Sequence, residues 1–263
     1  YLKYCFAHSV RCYVSPKISD IILMGSERIH LFDTPLLVSR NMGLAVDQRA
    51  AKRVMDILIS GIGIIITSPI MLIIAIAVKA YDRGPVFYFQ DRLTLGGKPF
   101  KICKFRSMCV DSEKNGARLA SKHDSRITPV GHVLRNLHLD ELPQLFNVFK
   151  GDMSLVGPRP ERESIMLEYE KELPEFYYRL KVKAGLTGYA QVYGKYNTTP
   201  YDKLKLDLFY IENYSFLLDI KLIFMTVKIF FQKEVSEGVD DRQVNALKDS
   251  GKNVGVSENK TEE

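Results

Sequence analysis

The chain has 263 residues, enough for one domain with appendages, and its formal net charge of +6 at pH 7 favours anionic partners. No recognised nucleic-acid-binding motif accompanies the basic residues, so nucleic acid is not an expected partner. The four cysteines form no CxxC pair and have no histidine at ligand spacing, which argues against a zinc site and against a disulfide framework.

The N-terminal stretch, residues 1–46, contains short β-rich pieces at 11–14 and 21–24 that proline and glycine interrupt. So short a piece can scarcely bury a core of its own. The pattern therefore predicts the last strands and helix of an N-terminal α/β domain whose beginning lies outside this sequence.

An uncharged run of about 22 residues, long enough to cross a bilayer as one helix, extends from Ile57 to Val78. Ser68-Pro69 lies at its middle, where proline removes a backbone hydrogen bond and bends a helix. Basic residues flank both ends, so charge gives no orientation. The pattern alone favours a spanning helix. The alternative is a re-entrant helix broken at Ser68-Pro69, in which Ser68 or neighbouring protein must satisfy the freed backbone groups.

After Gly84 the pattern predicts a β-hairpin, with strands at 86–89 and 100–108 joined through a Gly96-Gly97 turn. Thr128-Pro129 is typical of a helix start, with threonine as the cap and proline as the first residue.

Further along the chain, a second helix is predicted from Asp140 to Phe149, and a longer one at 201–232. The apolar second half of the latter, 216–231, suits either a bilayer surface or a protein core. The polar segment 234–263 is predicted to be disordered.

Asp140 and Glu141 are adjacent carboxylates just before Pro143. Acidic residues followed by proline are common at ordinary helix starts, so the dipeptide alone favours a helix cap. The same position also stabilises an ionised carboxylate that can act as a nucleophile or metal ligand. Neighbouring carboxylates can divide this work, one attacking phosphorus while the other holds a divalent ion.

Two isolated arginines flank these carboxylates in sequence, Arg135 and Arg159. A planar guanidinium suits phosphate oxygens because it can donate paired hydrogen bonds. Pro158 and Pro160 fix the backbone on both sides of Arg159, which would hold it at a set angle. An exposed arginine in a turn remains the alternative.

Lys104 and Arg106 project from one face of their predicted strand, where they could add positive charge to a phosphate site. A solvated strand face is the slightly favoured interpretation from the pattern alone.

Over residues 52–232 these segments, in order and spacing, resemble the bacterial sugar transferases, which are monotopic polyprenyl-phosphate phosphoglycosyl transferases. The matching segments are Lys52-Arg53 with Asp56, Gly84-Pro85-Val86-Phe87, Lys104-Phe105-Arg106-Ser107-Met108, Arg126-Ile127-Thr128, Asp140 to Gln144, Asn147-Val148, Gly151 to Pro160, and Gly185-Leu186-Thr187-Gly188 with Gln191.

The resemblance implies an α+β, mostly helical fold: the C-terminal catalytic module of a larger member. It comprises a re-entrant membrane helix at 47–83, and a catalytic domain at 84–233 with a small β-hairpin, a helical core and interfacial amphipathic helices. The family's membrane helix is broken at Ser-Pro, so the resemblance favours the re-entrant alternative. It also implies contact with membrane lipids at the inner (plasma) membrane, with the catalytic face in the cytoplasm. The oligomeric state stays open, with a homo-oligomer as one alternative.

The implied reaction moves a sugar-1-phosphate from a UDP-sugar to undecaprenyl phosphate, releases UMP and starts an exopolysaccharide, capsule or other surface glycan. By the resemblance, Asp140 is the nucleophile that forms a phospho-sugar intermediate, and Glu141 binds Mg²⁺. Arg135 and Arg159 contact phosphate.

Some positions depart from the family pattern, among them Gln90 to Thr94, Ala184, and His138 in place of a small hydroxyl residue. These differences concern the choice of sugar more than the activity. Two rival functions remain: a glycosyltransferase that releases UDP, and a membrane-anchored scaffold of polysaccharide assembly in which Asp140 only caps a helix.

Overall fold

The computed structural model describes residues 1–39, 43–110, 124–195 and 198–230. The chain divides into two compact units, Tyr1–Asn41 and Met42–Glu263, and each is described by itself. The segment predicted to be disordered, 234–263, lies outside the described residues.

The first unit contains two short helices and an antiparallel hairpin: α1 (Leu2–Ala7), α2 (Ile18–Met24), β1 (Glu27–Leu31) and β2 (Thr34–Val38). The strands predicted at 11–14 and 21–24 were wrong, since the first has no regular structure and the second lies inside α2. Ile21 is buried on that helix. Branched apolar residues favour a strand only where a sheet offers them a packing surface.

The second unit begins with α3 (Val46–Asp82), a helix of 37 residues that contains Pro69. Helical structure continues through Pro69, so the predicted break does not divide α3 into two helices. Proline cannot donate to the carbonyl four residues earlier, that of Ile65. The Ser68 hydroxyl donates to this carbonyl at 2.8 Å, which confirms that Ser68 satisfies the freed backbone group.

Of the described helices, α3 is long and apolar enough to cross a membrane, by length and composition. Its outward side exposes Val54, Leu58, Ile62, Ile65, Ile66, Leu72, Ile73 and Ile76. The opposite side packs on the rest of the second unit at both ends of the helix. Near its start, Arg53 donates to the carbonyls of Val148 and Phe149, each at 2.8 Å. Near its end, Val78 belongs to a buried cluster with Phe105 and Leu134.

The predicted hairpin is confirmed as β3 (Phe87–Leu93) paired antiparallel with β4 (Pro99–Phe105). Gly96 and Gly97 have φ angles of 68° and 75°, the left-handed conformation that such a tight turn requires. Side chains alternate along β4, so Lys104 lies on the face of the buried residues Phe100 and Ile102. Lys104 therefore points into the protein, and the interpretation of this side of the strand as a solvated face was wrong.

The predicted helix start at Thr128 is confirmed: it caps α4 (Pro129–Asn136), and its hydroxyl accepts a hydrogen bond from Gly131 N at 2.9 Å. The second predicted helix begins later than expected, as α5 (Gln144–Lys150). Residues Leu139–Glu141 instead form a separate 3₁₀ turn.

The remaining elements complete an α+β, mostly helical fold, as predicted. They are β5 (Ser154–Val156), α6 (Glu163–Glu172), a 3₁₀ segment (Pro174–Lys181), β6 (Gly185–Thr187), α7 (Tyr189–Tyr193), α8 (Pro200–Glu212) and α9 (Phe216–Phe230). Strands β5 and β6 are parallel. The long helix predicted at 201–232 is divided into α8 and α9.

The interpretation of α9 as a core helix is confirmed for one of its sides, and its contact with a bilayer surface stays a prediction. Asp219 and Leu222 are fully buried, whereas Leu217 and Phe224 are 76% and 72% exposed. One side of the helix therefore packs on the core, and the other presents apolar surface outward.

Candidate active site

Asp140 lies in the 3₁₀ turn between α4 and α5, and it is 8% exposed. His138, immediately before the turn, has a φ of 51°, in the left-handed region that non-glycine residues seldom adopt. Within the described residues, neither this turn nor α5 has a side-chain cap hydrogen bond. The interpretation of Asp140 as an ordinary helix cap is therefore wrong.

Glu141 is the point at which three separated segments meet. Its Oε1 accepts hydrogen bonds from Lys104 Nζ at 2.7 Å and from Arg159 NH2 at 2.9 Å. Burial disfavours the ionised carboxyl, but the two cations outweigh it and hold the pKa of Glu141 well below its usual range. Glu141 is consequently a carboxylate at any physiological pH.

Asp140 has the opposite electrostatic character. Burial and the negative charge of Glu141 raise the pKa of Asp140, while Lys104, Arg135 and His138 oppose the rise. A carboxylate that has lost much of its water beside cations is poorly solvated and therefore more reactive towards an electrophile. The adjacent carboxyls thus differ in environment, as two groups with different chemical tasks would.

The structure brings Lys104 and Arg159 to Glu141, and Arg135 near Asp140. Arg135 is oriented from α4, where its Nε donates to the hydroxyl of Ser107 at 3.1 Å. Five of the sequence-predicted cations and carboxylates therefore lie around one place, and Asp140 is the buried member of the group.

Arg106 is not brought into this cluster. Its guanidinium pairs with Asp82 at the end of α3 and is only 7% exposed. It packs so closely over Gly84 that a β-carbon there would lie 2.1 Å from Arg106 NH1. The ion pair of Arg106 with Asp82 thus connects the end of α3 to the end of β4, the strand that carries Lys104.

The start of α3 is also bound to the rest of the unit. The residues that bind it have a structural role that the sequence analysis did not predict. Asp56 Oδ1 accepts hydrogen bonds from Ser154 Oγ at 3.0 Å and Leu155 N at 2.9 Å, which holds β5. Lys52 Nζ lies 2.6 Å from Asp219 Oδ2, which holds α9.

Beneath the loop that carries Arg159 lies a buried charge cluster that sequence reasoning missed. Arg179 NH2 lies 2.8 Å from Asp207 Oδ2, and its NH1 lies 3.5 Å from Glu161 Oε1. Lys203 also pairs with Glu161, and Arg92 NH1 lies 3.8 Å from it. Burial opposes ionisation, yet these cations lower the pKa of Glu161 to about 2. The signal in the sequence was slight: Glu161 directly follows the Gly-Pro-Arg-Pro segment.

Comparison with known proteins identifies the class to which this fold and site belong. The sequence model of the bacterial sugar transferases matches residues 47–233, so the chain belongs to that family.

Several curated relatives are similar. The UDP-N-acetylgalactosamine-undecaprenyl-phosphate N-acetylgalactosaminephosphotransferase of Aeromonas hydrophila is 46% identical over 180 residues, 67% of this chain and 43% of the relative. The UDP-glucose:undecaprenyl-phosphate glucose-1-phosphate transferase of Klebsiella pneumoniae is 43% identical over 208 residues, 77% and 43% of the two chains. A relative of the same name from Caulobacter vibrioides is 37% identical over 229 residues, 82% and 84%. The chain thus spans less than half the length of the first two.

The donor set at this site suits Mg²⁺, which the family resemblance implies. Within the part of the chain that the structure describes, no three His, Cys, Asp or Glu side chains lie together as a metal cage. Mg²⁺ is usually held by one or two carboxylates together with substrate phosphates rather than by a complete protein cage. Glu141, the residue for which the resemblance implies this role, supplies such a carboxylate, and both of its cation contacts converge on one oxygen, Oε1.

Proposed function

We propose that this chain carries the catalytic module of a phosphoglycosyl transferase that moves a sugar-1-phosphate from a UDP-sugar to undecaprenyl phosphate. The observation that carries the proposal is the buried Asp140 beside Glu141, with Lys104 and Arg159 bound to the latter. The names of the relatives supply the two substrates. The product lipid would start a surface glycan such as an exopolysaccharide or capsule.

In the first step, an oxygen of the Asp140 carboxylate attacks the phosphorus that bears the sugar. The bond from that phosphorus to the bridging oxygen breaks, and UMP leaves with the electron pair. In the second step, a phosphate oxygen of undecaprenyl phosphate attacks the same phosphorus. The aspartyl–phosphorus bond breaks, which restores Asp140 and forms the lipid diphosphate-sugar.

The raised pKa of Asp140 suits this task because a carboxylate that is poorly stabilised by its surroundings gains from bond formation to phosphorus. Arg159 and Lys104 place positive charge where the transferred phosphoryl group carries negative charge. Arg135 adds a second guanidinium from α4. Glu141 orients Lys104 and Arg159, and the bound Mg²⁺ that it helps to hold would neutralise the diphosphate charge.

The packing of α3, which Pro69 does not divide, supports a shallow anchor with both ends on one side of the membrane rather than a spanning helix. The membrane is proposed to be the inner membrane. Lys52 binds Asp219 at the start of the helix, and Asp82 binds Arg106 at its end. All four residues belong to the same unit. A spanning helix would put its two ends on opposite sides of the bilayer and pull one of these pairs apart. The catalytic face is proposed to lie in the cytoplasm, where UDP-sugars are made.

The test is to identify the nucleotide that purified, detergent-solubilised protein releases with undecaprenyl phosphate, Mg²⁺ and a panel of UDP-sugars. We expect UMP, lost in Asp140→Asn and retained in Asp91→Asn, an exposed carboxylate on β3. Without the lipid, the intact mass of the protein should rise by one phospho-sugar group at Asp140. Release of UDP would instead indicate a glycosyltransferase. No nucleotide from any sugar by folded protein would favour the scaffold.

A further inference from the structure

The backbone of the loop that carries Arg159 accepts a hydrogen bond at every carbonyl from 158 to 161. At the two ends the donors are backbone groups: Gly185 N donates to Pro158 O at 2.9 Å, and Leu93 N donates to Glu161 O at 3.0 Å. These contacts attach the loop to β6 on one side and to β3 on the other.

The two carbonyls between them accept from side chains instead. Arg179 NH2 donates to Arg159 O at 3.0 Å, and Arg92 NH1 donates to Pro160 O at 3.0 Å. Prolines at 158 and 160 have no N–H groups, so this loop cannot form a regular ladder with a neighbouring strand. Two arginines take the place that strand pairing would otherwise have.

Placing Arg179 at this position costs desolvation free energy, because its side chain is only 2% exposed. A buried guanidinium is tolerated only when it is paired and hydrogen-bonded. Asp207 at 2.8 Å and Glu161 at 3.5 Å supply the pairing, and the ring of Phe176 lies 4.9 Å from the guanidinium carbon. One nitrogen, NH2, contacts both Asp207 and the Arg159 carbonyl, while NH1 lies nearest Glu161. The planar guanidinium fixes these directions relative to one another, which a freely rotating ammonium group does not.

What this arrangement determines is the direction in which the Arg159 side chain leaves the backbone. Proline on either side restricts the torsions, and Arg179 holds the carbonyl of Arg159 itself. The Arg159 side chain is 45% exposed, so little packing confines its guanidinium. Its position at Glu141 therefore depends on where its α-carbon is held.

We propose that Arg179 is a positioning residue: through the carbonyl of Arg159 it aims the Arg159 guanidinium at Glu141 and at the diphosphate of the sugar nucleotide. Asp207 and Glu161 keep Arg179 in the required orientation. The proposal rests on the function proposed above for the same site. It differs from a merely structural role, in which Arg179 would only join α8 and the 3₁₀ segment to the loop.

A double-mutant cycle separates these roles, with Arg159→Met, Arg179→Met and the double variant measured for kcat/KM of UMP release and for Tm. We expect Arg159→Met to lower kcat/KM by about 100-fold or more. Arg179→Met should lower it by about 10-fold in the wild-type background and by less than about 2-fold in the Arg159→Met background. An equal loss in both backgrounds would overturn the proposal.

Two further variants show whether lost stability explains the result. Lys52→Met removes the buried ion pair with Asp219, away from Arg159, and its effect on kcat/KM should be the same in both backgrounds. Arg179→Lys retains the charge opposite Asp207 and Glu161, so it should recover much of the Tm but little of kcat/KM. If Arg179→Lys recovered both equally, charge alone would suffice and the positioning role would be wrong.

A measurement without turnover keeps the two proposals distinguishable. In protein carrying Asp140→Asn, Arg179→Met should speed amide hydrogen exchange at 157–163 and leave 144–150 unchanged. If the wild-type protein releases no nucleotide, the proposed function fails, and this exchange pattern alone decides whether Arg179 holds the loop. Unchanged exchange at 157–163 would overturn the positioning role whatever the activity.

Discussion

Replacing Glu141 by Gln tests the centre of the site, because Gln keeps the shape of the side chain and removes its charge. Both contacts at Oε1, from Lys104 at 2.7 Å and Arg159 at 2.9 Å, then lose their ionic partner. Lys104 and Glu141 are each 18% exposed, whereas Arg159 is 45% exposed. The Lys104 contact is therefore the less screened of the two.

A hydrogen bond to a charged group contributes about 1.5–3 kcal/mol when buried, and an exposed ion pair contributes about 0–1 kcal/mol. We therefore expect Glu141→Gln to lower the free energy of unfolding by about 2 kcal/mol at neutral pH, which lowers Tm by roughly 4–8 °C for a domain of this size. The activity should fall much further, by about 100-fold or more, since Lys104 and Arg159 are no longer aimed at the phosphates.

The stability difference should also depend on pH in a defined direction. The pKa of Glu141 is depressed in the folded protein, so its stabilising effect is complete above the unfolded pKa of about 4.3. The effect is lost as the pH falls below that value towards the folded pKa. Urea unfolding of wild type and Glu141→Gln, from about pH 7 to pH 3, should show the two curves converging at the acid end. This account of the site would be refuted if the difference in free energy of unfolding stayed constant with pH. It would also be refuted if Glu141→Gln had the kcat/KM of the wild type.

Three other changes test separate parts of the structure. Gly84→Ala should displace the Arg106 guanidinium and lower Tm. Gly61→Ala is the control, because its new β-carbon would make an ordinary 3.5 Å contact and should leave Tm unchanged. Equal effects of the two substitutions on Tm would show that Arg106 does not need this space. Ser68→Ala should destabilise the protein in detergent by about 1 kcal/mol, because the carbonyl of Ile65, which Pro69 leaves unpaired, loses its donor. Thermal unfolding measures this effect, and an unchanged Tm would contradict the prediction. Because burial raises the pKa of Asp140, the acid limb of kcat/KM for UMP release should titrate above the ordinary aspartate value of about 3.9, with activity lost as the pH falls through it. An acid limb at or below that value would contradict a raised pKa for Asp140 in the working enzyme.

Where the sequence predicted correctly, a local rule decided the structure. The Gly96-Gly97 turn joins β3 and β4 because only glycine readily adopts the left-handed conformation found there. Thr128-Pro129 begins α4 because the threonine hydroxyl satisfies a free N–H and proline has the helical φ already. Each of these signals needs only a few neighbouring residues.

The predictions that were wrong concern segments whose structure depends on contacts with residues distant in the sequence. The pattern at 21–24 predicted a strand, but no sheet is available there, and Ile21 is buried on a helix. At Asp140 the local rule predicted an ordinary helix cap, whereas the residue lies in a separate 3₁₀ turn after His138 in the left-handed region. Neither result depends on the local residues alone, because each was decided by what packs against the segment.

By itself the sequence determined the secondary-structure class, the apolar helix, the carboxylates Asp140 and Glu141, and the arginines that flank them. Only the tertiary structure decided which cations meet those carboxylates: Lys104 and Arg159 reach Glu141, whereas Arg106 turns to Asp82. The two contacts at Glu141 join residues 37 and 18 positions apart. Such contacts arise from how strands and helices cross, and no spacing rule along the chain encodes that crossing.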